Sequence, residues 1–205
     1  MKIIVFEKNY ESNNISKYST LYNTCDSTVY TLPDTALLKD HRPFFIPDFA
    51  TNCTLRGQLV VRICRLGRSI SARFAKRYYD AITVGVTFTA ENILKELQEK
   101  RLPWELAKGF DGSAVIGTFV PLDEIEEGLN TPFSIHEDDT LIQSGNGGDM
   151  MKKVDELIAE ISQFYTLKQG DFIFTGCPVP PTTVTTNHNI SGYIAEQKVL
   201  SFNVK

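Results

Sequence analysis

Lys108 stands by itself between Ala107 and Gly109-Phe110-Asp111-Gly112, within the stretch PWELAKGFDGSAVIGTFVPL that runs from Pro103 to Leu122. A lysine ammonium is a compact point cation, and glycines beside it let the backbone approach a ligand closely. The spacing therefore suits a cation that faces an anion in a pocket. The plain alternative is a solvated lysine and a turn-forming aspartate between a helix and a buried strand, and residue types alone favour it. Other chemistry-bearing residues are sparser. His41, His136 and His188 are isolated and read as surface residues, and Cys25, Cys53, Cys64 and Cys177 lack metal-like spacing and read as free thiols.

The elements that would position Lys108 are mostly strands. Lys2 to Phe6 is apolar and β-branched, Val29 to Leu32 is a short strand, and Phe44 to Pro47 is at best an edge strand because proline breaks it. Leu59 to Cys64, Ile82 to Phe88 and Phe172 to Thr175 read as buried strands, and Gly192 to Ile194 with Val199 to Val204 as a closing hairpin-like pair. Two helices are predicted. Thr89 caps Ala90 to Lys100, with Ile93, Leu94 and Leu97 on one stripe, and Asp149 caps Met150 to Phe164, with Val154, Leu157, Ile158, Ile161 and Phe164 at helical spacing. Glu11 to Ser27 has no clear period and reads as a loop.

At 205 residues and 42% hydrophobic content, the chain is long enough for a sizeable core and reads as one domain over residues 1–205. A net charge of −4 gives no electrostatic reason to expect nucleic acid or an anionic membrane as partner, and no apolar run is long enough to span a bilayer. The opening Met1 to Phe6 is too short for a signal peptide, so the cytosol is the default compartment.

Several motifs share one order along the chain. They are Met1-Lys2-Ile3-Ile4 with Lys8-Asn9-Tyr10, Pro33 to Leu38, Pro103 to Asp111, Val120-Pro121, Gln143, and Leu167 to Pro178 (LKQGDFIFTGCP). Gly192-Tyr193-Ile194 and Leu200 to Val204 complete the series. Together they resemble the fumarylacetoacetate hydrolase family. The resemblance implies an α+β, β-rich fold with a rolled mixed sheet and few helices, and usually a homodimer. It also implies chemistry on acylpyruvate-like 2-keto acids: C–C hydrolysis, isomerisation or decarboxylation, with Mg²⁺ or Mn²⁺ holding an enolisable 2-keto-carboxylate. Lys108 would lie in that active site, with Tyr10, Thr175 and Gly176 near the substrate.

The resemblance breaks where the family's metal is held. The family's E-x-E, whose alternation puts two carboxylates on one face of a strand, falls on Arg56-Gly57-Gln58, and its later Asp falls on Thr87. The family's following Arg is Glu91, and the His and Glu that some members carry on a lid fall on Asn13 and Ser16. A hard dication needs carboxylate oxygens for most of its affinity. The first expectation is therefore a relative without a metal, catalytically impaired, whose pocket for a small carboxylate or keto acid is formed by Tyr10, Arg56, Lys108, Thr175 and Gly176. In it the Arg56 guanidinium takes the cation's place and clamps a carboxylate. The alternative is an active family hydrolase, isomerase or decarboxylase with a rebuilt Mg²⁺ or Mn²⁺ site, for which Glu91, Asp80 and Asp48 are the nearest carboxylates along the chain. A third expectation makes Lys108 a reactive amine that forms an imine with a keto acid.

Overall fold

The computed structural model describes residues 1–10, 28–38 and 42–205. The expectations placed on Asn13, Ser16, Cys25, His41 and the loop from Glu11 to Ser27 lie outside the described residues.

The main sheet begins with β1 (Ile3–Glu7), which pairs with β2 (Thr28–Leu32) on one side and, in parallel, with β10 (Phe172–Phe174) on the other. It continues through β4 (Cys53–Ile63), β5 (Tyr79–Ala90), β6 (Ala114–Ile116) and β3 (Leu37–Leu38), giving the order β2-β1-β10-β4-β5-β6-β3. The short strands β7 (Val120–Pro121) and β11 (Thr182–Thr183) add to β5 and β4. A second sheet is built from β8 (Pro132–Glu137), β9 (Thr140–Asn146), β12 (Asn189–Ile194) and β13 (Gln197–Asn203), in the order β13-β12-β8-β9. The helices are α1 (Glu91–Glu99), α2 (Glu105–Lys108) and α3 (Val154–Phe164). The fold is a curled, mixed β architecture with few helices, as expected.

Alternation along the strands separates two cores. Leu55, Leu59 and Val61 of β4 and Val84, Val86 and Phe88 of β5 pack with Ile135, Ile190, Leu200 and Phe202 of the second sheet, forming the larger core between the sheets. Ile3 and Val5 of β1, Leu32 of β2, Val60 of β4, Ala114 of β6 and Phe174 of β10 form a smaller core on the opposite face. That smaller core runs across one face of the curled sheet from Leu32 of β2 to Ala114 of β6, near the two ends of the strand order. The curl gives the small core an inner, concave face, and the polar residues of that face are the ones that matter below.

Both predicted helices form, with shifted starts. The first begins at Glu91 and takes no side-chain cap from Thr89. The second begins at Val154, not at Met150: Met150 bridges to Tyr10, and the Lys152 N–H is taken by Asn9 Oδ1 at 2.9 Å. The Glu156 carboxylate accepts the Lys153 N–H at 2.8 Å and starts the helix there. Pro103 to Lys108, expected as loop, contains the single turn α2. The β8–β9 hairpin is not legible in the sequence either, because its strands alternate Ser, His, Glu and Gln with few apolar residues.

Candidate active site

β4 directs Arg56 and Gln58 to the same side as Val60, the inner face of the curl. Antiparallel pairing sets Thr87 of β5 opposite Arg56, and Thr87 in turn lies opposite Ala114 of β6. Glu7, at the end of β1, follows Ile3 and Val5 on that same face. Lys108, the last residue of α2, reaches this face and is 4% exposed. Its Nζ lies 2.6 Å from Glu7 Oε1. Tyr30 of β2 completes the group: its hydroxyl points at Glu7 Oε1 at 3.4 Å, and Lys108 Nζ stands 5.4 Å from its ring centre, within cation–π range.

Burial alone would raise the Glu7 carboxyl above its usual range, but the positive charges of Lys108 and Arg56 outweigh it and hold the group below that range. Burial and the Glu7 charge push the Tyr30 hydroxyl well upward, so it stays a neutral donor. The Arg56 Nε is buried and has no hydrogen-bond partner among the described residues. A buried guanidinium N–H left open is costly, and an acceptor brought by a ligand would satisfy it.

The remaining polar groups are committed to one another. Gln58 Nε2 donates to Thr87 Oγ1 at 3.0 Å, while Gln58 Oε1 accepts the Gly176 N–H at 2.9 Å. Thr175 Oγ1 donates to the Leu59 carbonyl at 3.0 Å, and Asn9 Nδ2 donates to the Thr175 carbonyl at 2.9 Å. Gly176 has φ +109, a conformation that favours glycine, and a Cβ there would lie 3.0 Å from Asn9 Cβ. Tyr10 is the exception: it is buried with the larger core, its hydroxyl has no hydrogen-bond partner among the described residues, and burial raises its pKa above the usual tyrosine value.

Gln143 has an anchoring role. Its Oε1 accepts the Gly57 N–H at 2.7 Å and its Nε2 donates to Thr182 Oγ1 at 2.9 Å, tying β9 to β4 and β11. Cys177 Sγ, 3.7 Å from the same Oε1, is pushed upward in pKa by burial and is no activated nucleophile.

Of the residues expected from sequence, Arg56, Lys108, Gln58, Thr87, Thr175 and Gly176 are thus tied to one inner face and the loop beside it. Asp111 is not: it is exposed and lines a surface groove with Asp34 and Arg42. Nor do the nearby carboxylates assemble. Glu91 accepts from Thr54 Oγ1 at 2.7 Å, Asp80 binds Arg62 through two contacts of 2.9 Å, and Asp48 is exposed. His136 and His188 pair with Ser134 and Asp138 at the second sheet. Sequence reasoning misses Glu7 and Tyr30, since nothing in the spacing of a lone Glu at the end of an apolar strand marks it as a partner of a lysine 101 residues away.

Among the described residues this donor set offers a divalent metal a single carboxylate. Arg56 is a cation, Gln58 and Thr87 are neutral and bonded to each other, and the one carboxylate of the group, Glu7, is ion-paired with Lys108. No group of three or more His, Cys, Asp or Glu side chains placed to hold a metal occurs among the described residues.

Known proteins resemble this chain over most of its length. The chain is 26% identical over 203 residues to the mitochondrial oxaloacetate tautomerase FAHD1 of Mus musculus, covering 99% of this chain and 91% of that protein. It is 32% identical over 142 residues to the mitochondrial oxaloacetate decarboxylase of Dictyostelium discoideum, covering 69% of this chain and 65% of that protein. Its fold matches a fumarylacetoacetate hydrolase family protein from Yersinia pestis with a TM-score of 0.88, at 23% identity, over 100% of this chain and 93% of that one. It likewise matches the fumarylpyruvate hydrolase of Pseudomonas aeruginosa, solved with Mn²⁺ and pyruvate, with a TM-score of 0.87 at 22% identity over 100% and 89% of the two chains. The family model for the fumarylacetoacetate (FAA) hydrolase C-terminal domain matches residues 2–201, and the chain belongs to the fumarylacetoacetate hydrolase family.

Proposed function

We propose that the chain acts on a small 2-keto acid at the inner face of the curled sheet, promoting keto–enol proton exchange with Arg56 and Lys108 as its positive charges. In that exchange water takes a proton from C3 and gives one to the carbonyl oxygen, so negative charge collects on that oxygen in between. Fixed cations aimed at such an oxygen in a water-poor site stabilise the transition state more than they do in water. Arg56 would hold the substrate carboxylate or the neighbouring enolate oxygen through its open N–H, and the Lys108 ammonium, paired with Glu7, would add to the positive field of that face.

The observation that carries this reading is the buried Arg56 Nε without a partner, on the same face as the Lys108–Glu7 pair. The relatives named as oxaloacetate tautomerases support the reaction class. Lys108 serves as a charge here and not as an imine-forming amine, because its Nζ is committed to Glu7. The test is the exchange of the C3 protons of pyruvate for deuterium in heavy water, followed by proton NMR in excess chelator. Acceleration by the wild type, lost at least about tenfold in Arg56→Ala, supports the reading. Activity that appears only on adding Mg²⁺ or Mn²⁺ contradicts its metal-free form.

A second reading is favoured by the closed chain of bonds from Thr87 through Gln58 to Gly176. It is a non-catalytic carboxylate-binding relative, which would bind the same ligands and show no acceleration in that assay.

A further inference from the structure

A chain of net charge −4 carries one strongly basic loop. Cys64 to Tyr78, CRLGRSISARFAKRY, holds Arg65, Arg68, Arg73, Lys76 and Arg77 and no carboxylate. The loop is closed at its base by the Cys64 N–H, which donates to the Tyr78 carbonyl at 2.8 Å. It is also fastened to the end of α3. Gly67 and Leu167 exchange backbone bonds of 3.0 and 2.8 Å, and the Ser69 and Ile70 N–H groups donate to the Ser162 carbonyl and hydroxyl. All five cations are exposed, and none has an ion pair among the described residues. Aromatic rings hold three of them in place: the Arg73 and Arg77 guanidiniums stand 4.5 and 5.0 Å from the centre of the exposed Phe74 ring, and Arg65 stands 6.0 Å from that of Tyr78.

Surfaces ordinarily intersperse charges of both signs, so an anchored loop of one sign marks a partner of the other. Large apolar side chains stand beside these cations. Leu66, in the loop, is 66% exposed; Phe164, 72% exposed, and Tyr165 lie between Ser162 and Leu167, the two residues that fasten the loop. We propose that this loop and the end of α3 dock on an anionic lipid membrane, with the arginines at the headgroups and Leu66 and Phe164 in the acyl boundary beneath them. The apolar side chains choose this partner: a nucleic-acid backbone would match the arginines and leave Leu66 and Phe164 without apolar contact. A second copy of the chain meeting the same loop across a two-fold axis would set like charges against one another. The net charge of the whole chain, which gives no reason to expect a membrane, averages the loop away.

The test is sedimentation of the full chain at low salt with phosphatidylcholine vesicles, either plain or with phosphatidylglycerol as one lipid in three. The wild type is expected to pellet with the anionic vesicles and not with the plain ones, and to be released at about 1 M salt, where screening sets in within ~3 Å. Each basic side chain at an anionic bilayer adds about fivefold to partitioning, so Arg65→Ala, Arg73→Ala and Arg77→Ala combined should lower it about a hundredfold. Leu66→Ser should lower it at least about threefold. Circular dichroism checks that the variants fold, and if one does not, the salt response of the wild type decides. Equal pelleting with plain vesicles, no pelleting with anionic ones, or pelleting indifferent to salt or to the substitutions in folded variants overturns the proposal. So does arginine-dependent capture of single-stranded RNA or polyglutamate without vesicle binding, which would assign the loop to a soluble polyanion.

Discussion

Lys108 Nζ and Glu7 Oε1 meet at 2.6 Å in the interior, joining α2 to the end of the first strand. Two charges out of water tolerate each other only as a pair, and removing one strands the other. Lys108→Met should therefore cost about 3–5 kcal/mol in urea unfolding, whereas Glu7→Gln, which leaves an acceptor for the ammonium, should cost about 1–3 kcal/mol. A Lys108→Met cost below about 1 kcal/mol would mean that the pair is not formed in solution.

The pH dependence of that pair has a defined sign. Glu7 titrates in the folded chain below its ordinary value of 4.5, with Lys108 and Arg56 outweighing burial. A depressed carboxylate contributes stability that is fully present above the unfolded value and lost as the pH falls through the folded one. The stability difference between wild type and Glu7→Gln should be flat from about pH 5 to 8 and shrink in acid below about pH 4.5. A difference that grows toward acid would contradict the ion-pair assignment.

Arg56 offers the opposite stability result. Its buried Nε has no partner among the described residues, so Arg56→Ala removes an unsatisfied group and should change stability by less than about 1 kcal/mol. Oxamate affinity should nevertheless fall at least about tenfold. An Arg56→Ala variant that binds oxamate as well as wild type would remove the guanidinium clamp.

Much of this site is legible in the sequence, for reasons that can be stated residue by residue. Lys108 stands out through the glycines after it, and Arg56, Gln58 and Thr87 through motifs that share one order along the chain. The strands β4 and β5 are readable because β-branched runs bury both faces. Glu7 and Tyr30 are not, because the pairing of β1 with β2 and the curl over the inner face are long-range facts that no local pattern carries. The start of α3 is misplaced by local pattern because Asn9 and Tyr10, distant in sequence, claim the backbone around Met150 and Lys152.

Gly176 tests the loop that closes the site. Its φ of +109 disfavours any side chain, and a methyl added at its Cα would stand 3.0 Å from Asn9 Cβ. Gly176→Ala should destabilise by about 1–3 kcal/mol, and the Gln58–Gly176 bond should weaken with it. A neutral substitution, measured by thermal unfolding, would show that the loop rests in another conformation.

The central claim, that Arg56 stands where a dication would and holds the ligand's carboxylate itself, is tested most directly by titrating Mn²⁺ into chelator-treated wild type with and without oxamate. The account predicts no heat for Mn²⁺ in either case and oxamate binding that is indifferent to the metal. Mn²⁺ binding at about micromolar level, or oxamate binding that requires it, would contradict the account and place a metal at the centre of the reaction.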